Sequence, residues 1–196
     1  MERKEFRAYF DSDRARSFAE FDRRGFATIG CPLPNLKDAE EWTRYSKVKE
    51  LHIGIHGTPI SSDALGVLLD GWGSTLERLS IQDHRRDGLR DPKDFKLTNV
   101  LGDCRKSLSK LSCVWSMDVI NVSLGKPAVI EMSKMPKLKS LRVSRCRFTY
   151  PAFKALENSD SLDDILVSGC SGVYSEDAKS LSQDFRERCR VVVYKY

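Results

Sequence analysis

The chain has 196 residues, 40% hydrophobic and 31% charged, with a formal net charge of +5. That size and balance fit one well-packed domain and exclude a low-complexity or disordered class. No window approaches 18 consecutive apolar residues, which argues against a membrane-spanning helix.

The N-terminal residues lack the basic-then-apolar order of a secretory signal. They are Arg-rich, as mitochondrial transit peptides are, yet carry Glu2, Glu5, Asp11 and Asp13, which such peptides usually avoid. Helical spacing of Phe6, Tyr9, Phe10, Phe18 and Phe21 predicts helix over residues 2–29. Asp11 or Ser12 can cap a second helix there, and Gly25 can end it. Cys31-Pro32-Leu33-Pro34-Asn35 is a break, because proline cannot continue a helix. Leu36 to Trp42 follows as a short amphipathic helix or turn. Residues 1–47 thus read as a helical N-terminal cap.

From residue 48 a new pattern begins. Val48-Lys-Glu-Leu51-His-Ile53 and Leu76-Glu-Arg-Leu79-Ser-Ile81 read as strands, each followed by apolar residues at helical spacing. Leu108-Ser-Lys-Leu111-Ser-Cys113 is a weaker third. The fourth and fifth match closely: Leu138-Lys-Ser-Leu141-Arg-Val143-Ser-Arg-Cys146, then Leu162-Asp-Asp-Ile165-Leu-Val167-Ser-Gly-Cys170. Val191 to Tyr194 reads as a terminal strand. The key positions Leu51, Leu79, Leu111, Leu141 and Ile165 are separated by 28, 32, 30 and 24 residues. Those unequal intervals place insertions at Asp83–Phe95 and Val119–Pro127. A strand pattern returning every 20–30 residues is the signature of a leucine-rich repeat solenoid. The expected fold is therefore α/β: a leucine-rich repeat solenoid with a short parallel sheet, outer helices and the helical cap. The repeat domain spans 48–196 and includes the terminal strand.

With those cysteines at the strand ends, the chain resembles the leucine-rich repeat superfamily in its cysteine-containing form. More narrowly, it resembles the small mitochondrial family of the ATP synthase coupling factor B (subunit s) and the complex I distal-arm assembly factor. The family's Asp-Arg-Ala cap motif matches Asp13-Arg14-Ala15, and its short terminal strand matches Arg190–Tyr196. Where the family continues to Glu-Trp-Leu, this chain reads Ser17-Phe-Ala-Glu-Phe21. The resemblance implies a non-enzymatic accessory or assembly subunit of a large complex, ATP synthase or a respiratory complex. Its place would be the matrix side of the mitochondrial inner membrane, with a cytoplasmic location as the alternative.

Sequence signals for chemistry are sparse. There is no phosphate-binding glycine loop and no dinucleotide fingerprint. Ser168-Gly-Cys-Ser-Gly172 falls inside the repeat pattern and reads as a bend. The six cysteines include no Cys-x-x-Cys and no zinc spacing, so they read as reduced structural residues. His52, His56 and His84 are scattered. No catalytic, cofactor-binding or metal-binding residue, and no cofactor, is expected.

Binding residues follow from strand alternation, because side chains between buried positions project from the opposite face. Glu50, His52, Arg78, Ser80, Lys110, Ser112, Ser140, Arg142 and Leu166 fall there. The strand ends add Asp83, His84, Arg85, Ser144 and Arg145. Trp115 and Tyr174 are aromatic anchor candidates, since aromatic and arginine residues are enriched at energetic centres of interfaces. Residues 101–150 hold ten Lys or Arg against three Asp or Glu. That zone suits an acidic protein subunit, a peripheral membrane contact or nucleic acid. The expected partner-binding set is His52, Arg78, His84, Arg85, Trp115, Arg142, Arg145 and Arg147. Alternatives to the complex-subunit role are an RNA- or ribosome-associated structural subunit, or a cytosolic leucine-rich repeat adaptor of a ubiquitin ligase.

Overall fold

The computed structural model describes residues 18–21, 26–30, 36–44, 48–55, 61–84 and 99–194. The fold is α/β, with a largely parallel sheet and multiple helices. The strands are β1 (Phe18–Phe21), β2 (Phe26–Gly30), β3 (Glu50–Ile55), β4 (Arg78–Asp83) and β5 (Ser116–Ile120). They continue as β6 (Ser123–Leu124), β7 (Ser140–Ser144), β8 (Arg147–Phe148), β9 (Asp164–Ser168) and β10 (Arg190–Tyr194). Among the described residues the main sheet has eight strands in the order β1-β2-β3-β4-β5-β7-β9-β10. Only β1–β2 is antiparallel. β6 and β8 form a separate two-stranded parallel ribbon.

Register explains the apolar spacing. Leu51, Leu79, Met117, Leu141 and Ile165 are successive Cα partners, and so are Ile53, Ile81, Val119, Val143 and Val167. All ten are buried, at most 2% exposed. Helices α1 (Leu36–Trp42), α2 (Ser62–Trp72), α3 (Val100–Asp103), α4 (Arg105–Leu108), α5 (Lys126–Ser133) and α6 (Tyr150–Lys154) come between strands in the chain. Short helices α7 (Ser175–Lys179) and α8 (Gln183–Arg188) lie between β9 and β10. The helices contribute Leu65, Leu68, Trp72, Val129, Met132 and Phe153 to the same apolar cluster as the strand rows. In α2 these apolar residues share one face. The side chain of Ser61 accepts the Ala64 N–H at 3.4 Å and caps the first turn, satisfying a donor the helix cannot. Pro127 and Pro151 open α5 and α6, where a missing N–H costs nothing.

Strands β5, β7 and β9 run into the same bend. Asn121, Arg145 and Gly169 stand 24 residues apart and adopt φ of 57°, 53° and 59°. Their N–H groups bond Ser144, Ser168 and Tyr194 carbonyls, respectively, at 2.8–3.0 Å. Beside the bend, the Cys146 thiol donates to Val119 O (3.4 Å), and the Cys170 thiol donates to Val143 O (3.5 Å). The Cys146 N–H in turn points at Cys170 Sγ, 3.4 Å away. The cysteines therefore link neighbouring strands by hydrogen bonds, beyond filling space. Asn121 Nδ2 similarly donates to Asp83 O at 3.0 Å, reaching back 38 residues.

Three expectations are corrected. Residues 18–21 and 26–30 are strands, not helix. The edge of β3 needs a parallel partner for its backbone groups, and Phe26-Ala-Thr-Ile29 supplies one, in register with Glu50–Ile53. Helical spacing of aromatics could not register that demand. The rest of the expected cap, residues 2–17 and 22–25, lies outside the described residues. The third strand is Ser116–Ile120, not Leu108–Cys113. Leu108 ends α4 and Leu111 is buried in the turn that follows. The true match is Val114-x-x-Met117-x-Val119-x-x-Val122, with Val122 at the place of Cys146 and Cys170. Val119–Pro127 is consequently no insertion, but strand, bend, ribbon and helix start. The extra length lies between β4 and β5, and residues 85–98 within it are outside the described residues.

Truncating Leu141 to Ala should cost about 2–5 kcal/mol, as fully buried leucine deletions do, measured by urea denaturation. Gly169→Ala should lose about 1 kcal/mol, because a Cβ is disfavoured at φ 59°. Arg145→Gly in the same assay should cost nothing.

Candidate interaction surfaces

The alternation that buries one set of strand residues displays the other. Across the sheet the displayed rows are Glu50–Arg78–Ser116–Ser140–Asp164–Arg190 and His52–Ser80–Asp118–Arg142–Leu166–Val192. These side chains are half-buried or exposed, while the described helices place their apolar residues in the cluster with the opposite rows. Arg78 ion-pairs with Glu50, and Arg190 pairs with Asp164 at 2.6 Å. Both pairs cross neighbouring strands, where oppositely charged residues face one another.

A second feature runs along the edge where the strands begin. The residues just before β3, β4, β5, β7 and β9 are Lys49, Glu77, Trp115, Lys139 and Asp163. All five line an open groove of about 1210 Å³. Lys49 pairs with Glu77 at 2.9 Å, and Lys139 pairs with Asp163 at 3.5 Å. Trp115 sits between these two neutralised pairs. It is 40% exposed, and the Arg78 guanidinium lies 5.5 Å from its ring centroid. A cation over an aromatic face is held by the ring quadrupole. The arrangement is an amphipathic anchor held in place, with a polar rim.

The structure divides the expected binding residues. Arg78 and Trp115 come together at the groove. His52 and Arg142 lie on the displayed sheet face. His84, Arg145 and Arg147 lie beyond the opposite strand ends, and Arg85 is outside the described residues. Lys110 and Ser112 leave the face, because the third strand lies further on. Lys110 instead pairs with Asp70 on α2 at 2.6 Å. Asp118 and Ser116 take those positions, which the sequence offered through the Val114–Val122 match. Phe148 is fully buried, edge-on to Phe153 at 5.9 Å, and cannot stack on a base.

The basic zone is likewise divided. Lys110, Lys134 and Lys139 each hold a carboxylate at 2.6, 2.8 and 3.5 Å. Lys137 instead reaches Cys113 Sγ at 3.9 Å in the groove. Cys113 and His84 lie at opposite strand ends, roughly 15–20 Å apart at about 3.3 Å per strand residue. Among the described residues no three His, Cys, Asp or Glu side chains converge. No described helix is long and apolar enough to cross a membrane. No protein-family model, curated protein or solved structure matches the chain.

Thiol environments differ sharply. Burial pushes the Cys104 thiol up to about 12 and the Cys189 thiol up to about 11. The hydrogen bond to Cys170, together with burial, pushes the Cys146 thiol up as well. A raised pKa keeps a thiol protonated, and the thiolate is the reactive form. Cys113 is half-exposed beside the Lys137 ammonium. In a Cys31→Ser background at pH 7.5, iodoacetamide should therefore modify Cys113 before Cys104, Cys146 or Cys189. Peptide mass mapping over time reads the order.

Proposed function

We propose that the protein is a non-catalytic protein-interaction scaffold, an accessory or assembly subunit of a larger complex, built as a leucine-rich repeat solenoid of the cysteine-containing type. The observation that carries this reading is the uncovered sheet face. Parallel sheets are ordinarily covered on both faces, whereas a solenoid stacks its helices on one side and offers the other. The repeat itself is supported by strand rows in register, a left-handed residue at each of three bends and the thiol hydrogen bonds between neighbours.

Trp115, with Arg78 over its ring, is the energetic centre we assign to the groove. Small clusters of aromatic and arginine residues, ringed by polar contacts, carry most interface energy. The partner is a protein subunit with acidic character. Three of the six lysines in residues 101–150 are matched to carboxylates, and with that stretch interrupted Arg142, Arg145 and Arg147 form a local cationic contact and not a continuous phosphate track. The mitochondrial inner membrane, matrix side, is the placement suggested by the resemblance of Asp13-Arg14-Ala15 and Arg190–Tyr196 to the coupling factor family.

Native capture from its own cells under mild extraction, with subunit identification, tests the role. Trp115→Ala should weaken recovery of the partner by about 2 kcal/mol, roughly thirty-fold. Recovery with no other protein would sink the scaffold reading. Binding to naked RNA that collapses steeply with salt would move the function to a ribonucleoprotein.

A further inference from the structure

β10 is the last strand of the sheet, and its outer edge is unpaired among the described residues. Two ladder bonds bracket it: Arg190 N–H to Asp163 O at 2.8 Å, and Gly169 N–H to Tyr194 O at 3.0 Å. A parallel ladder uses alternate residues of each strand. The peptide groups of Arg190, Val192 and Tyr194 therefore turn toward β9, and those of Val191 and Val193 point out of the edge. The side chains of Val191 and Val193 lie on the helix side of the sheet. Their β9 partners, Ile165 and Val167, are 0% exposed, but these two valines are only half-buried. Among the described residues the core is unfinished along this strand. Among the described residues the strand also carries no proline, bulge or inward charge.

The sequence of the strand indicates what finishes it. Arg190-Val-Val-Val-Tyr194 is self-complementary about Val192. We propose that a second copy of this chain adds its β10 antiparallel to the first, across a two-fold axis at Val192. In that register Val191 faces Val193 of the second copy, and each such pair exchanges both backbone hydrogen bonds. The half-covered valines then close over one another. On the displayed face, Arg190 lies opposite Tyr194 of the second copy, a cation against an aromatic face at both ends. Asp164 of β9 holds Arg190 Nε at 2.6 Å, which fixes the side chain on the displayed face. A parallel partner would instead set Arg190 beside Arg190, like charge against like. Such a contact would not close, whereas the two-fold pairing does. The closed dimer joins two displayed sheet faces into one surface and makes the scaffold bivalent.

Sedimentation velocity on the full 22.3 kDa chain over a concentration series should show a reversible shift to twice the monomer mass. Val192→Lys and Val192→Glu each oppose like charges on the axis, and each should stay monomeric. An equimolar mixture of the two should regain the dimer mass, because Lys then faces Glu. Hydrogen exchange on the unmutated chain should show Val191 and Val193 amides slowing with concentration, while amides of β7 do not change. Each of these results overturns the proposal: a monomer at every soluble concentration, a dimer that Val192→Lys leaves intact, or folded variants that fail to re-pair in the mixture. If the variants lose their native circular dichroism, exchange decides. Protection at Val191 and Val193 that ignores concentration overturns the dimer.

Discussion

Parallel strand pairing is the constraint on which the rest of this structure depends. A parallel strand satisfies its backbone only against a neighbour running the same way, so the chain must leave one end and return to the other before each new strand. Here the return passes through helices whose apolar residues join one cluster with the strand rows. The register follows, because only one alignment puts Leu51, Leu79, Met117, Leu141 and Ile165 in one buried row. A slip of one residue would turn every such row to solvent.

The bends make that alignment repeatable. A left-handed residue turns the chain out of the sheet at 121, 145 and 169, and its N–H closes onto the next strand. Asn and Gly tolerate this conformation well, and Arg145 adopts it at some cost. The neighbouring sulfur atoms then tie one return to the previous one. Cysteine suits the position because it is small and apolar while its thiol still reaches a carbonyl. The hydrogen bond between Cys146 and Cys170, together with burial, holds the Cys146 thiol protonated, while the same bond draws the Cys170 thiol down.

What remains at the surface is decided by the same alternation. Side chains excluded from the core stand in rows on the displayed face, and the turns before each strand stack into the groove. Opposite charges on adjacent strands neutralise one another, as Lys49 with Glu77 and Lys139 with Asp163 do. Surface pairs of this kind contribute little to stability. Their consequence is to leave Trp115 and a few arginines as the distinctive contacts. The two ends of the sheet are unlike: β1 is antiparallel to β2, while β10 is parallel to β9 and its valines are half-buried among the described residues.

Much of this was legible in the sequence. Strand spacing around Leu51, Leu79, Leu141 and Ile165 is local, since period-two alternation records which side of a strand is buried. It gave the parallel order of β7 and β9, the buried residues and the outward placement of His52, Arg78 and Arg142. The N-terminal strands were illegible because their pairing is a long-range demand made by the edge of β3, and aromatic spacing in Phe18–Phe21 fits helix as well. The third strand was missed because Leu108–Cys113 imitates the pattern and the interval before β5 is long. Only stacking in register could choose Met117, since that choice belongs to its neighbours Leu79 and Leu141. The sequence by itself therefore determined which residues are buried within each return. Tertiary structure decided which returns are adjacent, that Arg78 lies over Trp115, and that β10 ends with half-covered valines, because those facts arise from contacts between segments 24 to 38 residues apart.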